Sequence, residues 1–531
     1  MVVFIYHCYH MVIMTYDHIK TVGDKHYLYR ITGVWDPVKK NSRQVREYVG
    51  PCDENGNLIE SRRRGTVIVS KTFGPYWLLQ NISDSLDLEK KLSNCFGREK
   101  GEDILSIAML RCVRPLPLRQ VDDQMQESFL SEYRSDDGMG SRDLSRLMTG
   151  ISEESRNMFF RSMYGGGGAI IFDLSSFGSE SSRMSRLEYG DDYHKIHMPQ
   201  VSMGMVHSVD TGRPFCYRLY SGSISDVSTL RNMAEFVSSL GCKDVHFIMD
   251  RGFYSESNLL SLLDNGMGFT TPVPSGRRVF KSVVSESIKE NSSLSTYVFC
   301  GSVFRVYETN VNIGDRTIRA ISYLDEGRRL DEISSLYSRI CSYESILSQT
   351  KWTKGIHKML RKQYGTDILR FFELSDDNGR LVFKRKRNAI TAKENICGRM
   401  VILTTSEDPW DAILSKYRAR NDIEFDFRQL KSDLEGGVKY LQTDGAADGL
   451  IFVQFVSLIL RSEILRRISE SDLKGRIWYP DVINELSKLK VSEMGGKLIL
   501  NEVTKKQRDL YTSLKVDVPT TESVRSLVTK S

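Results

Sequence analysis

The run AIIFDLSSF, residues 169–177, decides how the rest of the chain is read. Successive apolar residues, β-branched among them, fit a strand buried on both faces. The run then meets a single acid, Asp173. A carboxylate at the end of an apolar strand is costly unless it is hydrated, paired or bound to a cation. One such Asp is usually a turn residue. A second run of the same form, VHFIMDRGFY at 245–254, alters that, because Asp250 again stands at the exit of an apolar strand.

The segments around these two runs supply the layout. Residues 200–209 and 215–220 are strand-like and joined by the turn Asp210-Thr211-Gly212-Arg213. Residues 226–240 have a helical period with Asp226 as cap, 256–263 form another helix, and 269–273 a further strand. The order β-β-β-α-β-α-β predicts an α/β fold: a ribonuclease H-like mixed sheet with helices on both faces.

A third carboxylate comes from YRARNDIEFDFRQLK, residues 417–431. Asp408 as N-cap, Pro409 in the first turn and Asp411 near the positive end of the dipole predict a helix start, and Gly436-Gly437 a stop. At ~100° per residue, Tyr417, Arg420, Glu424 and Lys431 share one file roughly 60° wide. Ile423, Phe427, Leu430 and Leu434 form the apolar stripe beside it. Alone, that file is an ordinary solvated face with an i,i+4 Arg420–Glu424 pair. With Asp173 and Asp250 it supplies the third member of a candidate acid cluster. Convergent carboxylates repel one another unless divalent cations neutralise them, and hard oxygen donors suit magnesium or manganese.

The triplet Asp173, Asp250 (within DRGF) and Glu424, with Tyr417, Arg420 and Lys431 at Y-x2-R-x3-E-x6-K spacing, resembles the DDE/YREK transposases of prokaryotic insertion sequences, the insertion-sequence-four group and its close relatives. GRPFCYRLYSGSISDVSTL (212–230) and CGRMVILTT (397–405) are similar to the flanking stretches of that branch. The resemblance covers residues 164–461. It implies an enzyme that binds insertion-sequence ends and carries out metal-dependent cleavage and strand transfer of the cut-and-paste type. Asp173, Asp250 and Glu424 are then the catalytic residues and hold two Mg or Mn ions, roughly 3.5–4 Å apart. Tyr417, Arg420 and Lys431 grip the DNA. The implied partners are double-stranded DNA, at the ends and at the target, and a second copy of the chain in the DNA complex. The implied location is a prokaryotic cytoplasm. Two alternatives share the motif: a structure-specific DNA nuclease that never joins strands, and a non-catalytic DNA-binding relic.

The remaining organisation follows from composition. The chain has 531 residues, 40% hydrophobic and 27% charged, with a net charge of +6, a mild bias toward a polyanionic partner. Nine scattered cysteines without a CxxC argue against a disulfide framework or structural zinc. The apolar start MVVFIYHCYHMVIM is too short for a span and lacks a basic n-region, and Met11 or Met14 offers an internal start. Expected domains are an N-terminal segment (1–20), a β-meander and helical DNA-binding module (21–164), the first part of the catalytic core (165–273), a largely β insertion domain (274–395), the second part of the core (396–470) and a helical C-terminal tail (471–531). The four glycines at 165–168 mark a joint. Within the insertion, Lys351, Lys354, Lys358, Arg361 and Lys362, with the basic run 384–387, read either as a soluble surface or as a phosphate-tracking groove, and Trp352 beside them as a base-stacking candidate. His7, Cys8 and His10, and the pair His194 and His197, have metal-like spacing but read better as ordinary residues. The run GLIFVQFVSLIL (449–460) reads as a buried core helix.

Overall fold

The structure, a computed structural model, describes the chain except residues 1–11, 24, 37–40, 59–68, 135–138, 179–186, 192–196, 223, 225, 291–295, 421–442, 495–496 and 530–531. Contacts divide it into two units, Met1–Ser70 with Ser492–Ile499, and Lys71–Val491 with Leu500–Ser531. In the first unit, β1 (Val12–Val22), β2 (Lys25–Asp36) and β3 (Asn41–Cys52) form an antiparallel meander. The sequence places this meander within 21–164, and β1 extends it toward the N-terminus, beginning at Val12. Cross-strand pairs hold it: Arg30 Nε lies 3.0 Å from Asp17 Oδ1, and the Tyr29 and Tyr48 rings lie 5.4 Å apart. The short strand β4 (Val69–Thr72) follows in the chain.

The second unit is built on a ten-stranded mixed sheet. Within it β5 (Gly168–Gly178) carries the first acid. On one side β7 (His197–Ser208) pairs antiparallel with β5. Two strands then pair antiparallel with β7, namely β6 (Glu188–Asp191) along its start and β8 (Pro214–Ser221) along the rest. On the other side β9 (Val245–Met249) pairs parallel with β5, and β10 (Gly268–Pro272) parallel with β9. The parallel strands β9 and β10 are buried along most of their length, and helices such as Asp226–Ser239 and Glu256–Asp264 connect the strands across the sheet faces.

The sheet continues beyond β10. The strand expected at 397–405 is β16 (Arg399–Thr404), antiparallel to β10. Beside it come β13 (Arg316–Asp325), β12 (Ser302–Ile313) and β11 (Thr296–Phe299). β11 and β12 are joined at Cys300-Gly301, with φ of 49° and 79°, the left-handed pair that a two-residue hairpin turn requires. The next segment has its own core around Leu336, Ile340, Leu360, Phe371 and Phe372, where β14 (Phe372–Asp377) and β15 (Arg380–Arg385) form a hairpin.

Helices cover the other end of this unit. The predicted helical stretch 78–164 is observed as Gly74–Ser85, Leu88–Phe96, Arg98–Val113, Val121–Glu127, Ser141–Thr149 and Glu153–Met163. The first two are separated at Asp87, whose φ of 53° ends the first helix. The apolar run 449–460 lies in the helix Asp444–Ser469, buried along most of its length. A Cβ at Gly449 would fall 2.1 Å from the Met148 carbonyl oxygen, so glycine lets the two helices touch at their backbones. Among the described residues, no helix is long and apolar enough to cross a membrane.

Candidate functional site

The register of β5 and β9 sets the acids side by side. Phe172 pairs with Met249, so the next residue of each strand, Asp173 and Asp250, occupies neighbouring positions. Adjacent strands lie about 4.8 Å apart. Asp173 was expected at the end of its strand. Instead β5 runs on to Gly178, with Asp173 opposite Met205 of β7, so this acid ends only the parallel part of the pairing. Asp250 does terminate β9. The chain turns there through Arg251–Phe253, and the Asp250 carbonyl accepts from Phe253 N–H at 3.1 Å and from the Thr271 hydroxyl at 3.4 Å. Beneath the acids the Phe172 and Phe253 rings meet at 4.8 Å.

The third element is the helix Trp410–Arg418. Its apolar positions Ile413 and Leu414 are buried with Phe304, Ile321 and Ile402 of the extended sheet. The expected N-cap Asp408 does not cap: Pro409 holds the cap position, and the Asp408 carboxylate turns to Lys416 Nζ at 2.7 Å and the Ser406 hydroxyl at 2.8 Å. Those two partners hold its carboxyl below the usual carboxylate range. A cation outcompetes a backbone amide for an exposed carboxylate that can reach both. The far face of the helix is pinned by Arg418, whose guanidinium lies 5.5 Å and 5.2 Å from the Phe299 and Phe304 ring centres and 3.7 Å from Asp325. Sequence reasoning missed Arg418, since its partners come from strands more than ninety positions away in the chain and leave no local signal.

Just past the helix, Arg420 lies between the two acids. Its Nη1 is 3.7 Å from Asp173 Oδ2 and its Nη2 is 3.9 Å from Asp250 Oδ1. The side chains of Asp173 and Arg420 are 14% and 13% exposed, and that of Asp250 is 35% exposed. The Tyr417 hydroxyl donates to Asp250 Oδ1 at 3.5 Å, and the Tyr417 ring centre is 5.9 Å from the Arg420 guanidinium. Burial raises the Tyr417 pKa, the Asp250 charge raises it further, and Arg420 opposes, so the phenol remains a protonated donor at neutral pH. Four of the six expected site residues, Asp173, Asp250, Tyr417 and Arg420, are thus brought together. Glu424 and Lys431 lie outside the described residues.

Asp173 and Asp250 supply hard oxygen donors, the kind a divalent cation takes. Two carboxylates lie within 4 Å of one guanidinium, so both reach a common centre of positive charge. Among the described residues, no group of three or more His, Cys, Asp or Glu side chains converges to hold a metal. The other expected candidates fall elsewhere. His7, Cys8, His10 and His194 lie outside the described residues, while His197 opens β7. Trp352 is half-buried against the core of its own segment, with its ring 6.3 Å from that of His357. Lys351, Lys354, Lys358, Arg361 and Lys362 are all exposed around the helix Ile356–Tyr364, whose Ile356 and Leu360 face inward.

Compared with known proteins, no family model and no curated protein matches the chain. Among solved structures, the chain is similar to the piggyBac transposase of a cryo-EM synaptic complex with hairpin DNA, at 12% identity and a TM-score of 0.35, over 86% of this chain and 84% of that one.

Proposed function

We propose that the chain is a DNA transposase that cleaves phosphodiesters at insertion-sequence ends and transfers the freed strand to target DNA. The observation that carries this reading is the adjacency of Asp173 and Asp250 at the parallel edge of β5 and β9, with one guanidinium reaching both. The strand order β8-β7-β5-β9-β10, with β7 antiparallel to the central strand and β9 and β10 parallel, supports a ribonuclease H-like core. In this reading 274–395, inserted in the chain between β10 and β16, adds β11–β13 to the same sheet before forming its own core, and Glu424, on the continuation past Arg420, completes the acid set.

Asp173, Asp250 and Glu424 would hold two magnesium or manganese ions. Such ions, when bound, supply Lewis-acid neutralisation of the charge that develops at the attacked phosphate. The residues on this face do the rest. Arg420 offers paired N–H donors to a phosphate, Tyr417 a neutral hydroxyl donor, and Lys431 a point charge. Asp250 keeps Tyr417 oriented through the contact at 3.5 Å. DNA phosphates approaching Arg420 compete for its guanidinium and expose the two carboxylates together. The working complex is two copies of the chain on double-stranded DNA.

A strand-transfer assay with short end-bearing duplexes and magnesium tests the proposal. Cutting followed by joining supports it; cutting alone assigns a nuclease on the same sheet, and binding alone a relic. Glu424→Gln protein should bind and not cut. Wild-type cutting by that variant would remove Glu424 from the site.

A further inference from the structure

A polar cavity of about 160 Å³ lies at the end of the sheet where β5 begins, away from the acids. Its walls come from three places: the end of the helix Gly74–Ser85 and the start of Leu88–Phe96, Met163, and the β7–β8 turn. Two cations line it, Lys91 and Arg213. Lys91 spends one donor on the Leu86 carbonyl at 2.8 Å and has two more. Arg213 gives Nη1 to Glu463 Oε2 at 3.2 Å.

The charge on Arg213 is not cancelled by that contact. Glu463 is 1% exposed and also binds Arg466 and Arg467, each at 2.8 Å, so one carboxylate serves three guanidinium groups. Burial lowers the Arg213 pKa, Glu463 opposes and the nearby arginines add to the lowering; burial likewise lowers that of Lys91, with Asp87 opposing and Arg213 adding to it. Two half-buried cations that repel each other across one polar cavity are stabilised by an anion between them. One hydroxyl completes the lining: Thr211 lies in the turn whose Gly212 has φ of 63°, whereas Ser85 Oγ accepts from Arg467 Nη2 at 2.9 Å and donates to the Ile82 carbonyl at 2.8 Å. One acid, Asp87, is exposed at the rim and favours a singly charged or diester phosphate over a bare dianion.

We propose that Lys91 and Arg213, with the hydroxyl of Thr211, bind a phosphate group. The source is either a nucleic-acid backbone or a free phosphate, and the chemistry is shared. The proposal rests on local geometry and stands whether or not the acid pair is catalytic.

Isothermal titration of the full chain with inorganic phosphate, at ionic strength held constant with chloride, tests it. Saturable one-site binding is expected, weakened tenfold or more in Lys91→Met and in Arg213→Met, and less in Thr211→Val. Arg213→Met leaves Glu463 paired with Arg466 and Arg467. If that variant nevertheless fails to fold, Lys91→Met and Thr211→Val decide. Asp173→Asn should leave phosphate affinity unchanged, which separates this site from the first. Competition by a short DNA duplex assigns the backbone as ligand, and no competition assigns free phosphate. Heats that match chloride, or equal affinity in the Lys91 variant, overturn the proposal.

Discussion

Replacing Arg420 with glutamine perturbs the acid pair without altering either acid. At 3.7 and 3.9 Å from the two carboxylates, each unit-charge attraction is about 4 kcal/mol at an effective dielectric constant of about 20. Asp250 is 35% exposed, and solvent screens its share to about 1 kcal/mol or less. Asp173 and Arg420 are 14% and 13% exposed and retain more of theirs. Desolvation of the guanidinium offsets part of the sum, leaving a net preference of about 2 kcal/mol for the arginine in place. A divalent cation entering between the acids must first displace that charge. The Arg420→Gln protein should therefore bind manganese about thirtyfold more tightly than wild type, about 2 kcal/mol. Arg420→Lys should fall between them. Titration calorimetry of the DNA-free chain reads this directly. Equal or weaker manganese affinity in Arg420→Gln would refute the idea that Arg420 and the metal compete for one place.

Three further outcomes follow from the packing around the site. Burial, with Lys416 close by, pushes the His246 pKa down from 6.5 to about 4, so the folded chain keeps this ring neutral while the unfolded chain protonates it. Stability is then whole above pH 6.5 and falls as pH drops toward 4, by at most about 3 kcal/mol; denaturation midpoints should show this slope, flattened in His246→Gln. Gly449→Ala puts a methyl 2.1 Å from the Met148 carbonyl oxygen, and the helix crossing should lose about 3 kcal/mol in chemical denaturation. Gly204→Ala places its methyl 2.8 Å from the Phe172 ring; it should cost about 1–3 kcal/mol and, by moving the residue before Asp173, lower manganese affinity as read by the same titration.

Much of the acid-bearing part of the sheet was legible because its strands announce themselves. β5 and β9 are short apolar runs that each meet one acid, and the helices between them carry a clear period and a cap. β10 and β16 are likewise bounded by turn residues. What was not legible depends on partners remote in the chain. Nothing in Arg316–Asp325 says that it will pair with Arg399–Thr404 and so extend the central sheet, because strand composition reports burial and not the identity of the neighbour. The hairpin at Cys300-Gly301 was hidden because cysteine is an unusual residue at a left-handed turn position. Asp173 was placed at a strand end on composition, whereas the antiparallel partner β7 carries β5 five residues further. Asp408 looked like a cap because the local pattern fits one, and lost that role to Lys416, one helical turn and more away. At the site, Tyr417 and Arg420 meet although the helix expected to carry both ends at Arg418, since they lie on one short segment whose inner face is fixed by Ile413 and Leu414.

The most direct test of the central claim is to map where a metal sits. Ferrous iron in place of magnesium, with ascorbate and peroxide, generates hydroxyl radicals that cut the chain next to the ion, and the fragments are read by mass spectrometry. The account predicts cuts flanking Asp173 and Asp250, a further cut near Glu424, suppression by excess magnesium, and loss of all three in the Asp173→Asn, Asp250→Asn double variant. Cuts that cluster elsewhere, or that survive in the double variant, contradict it.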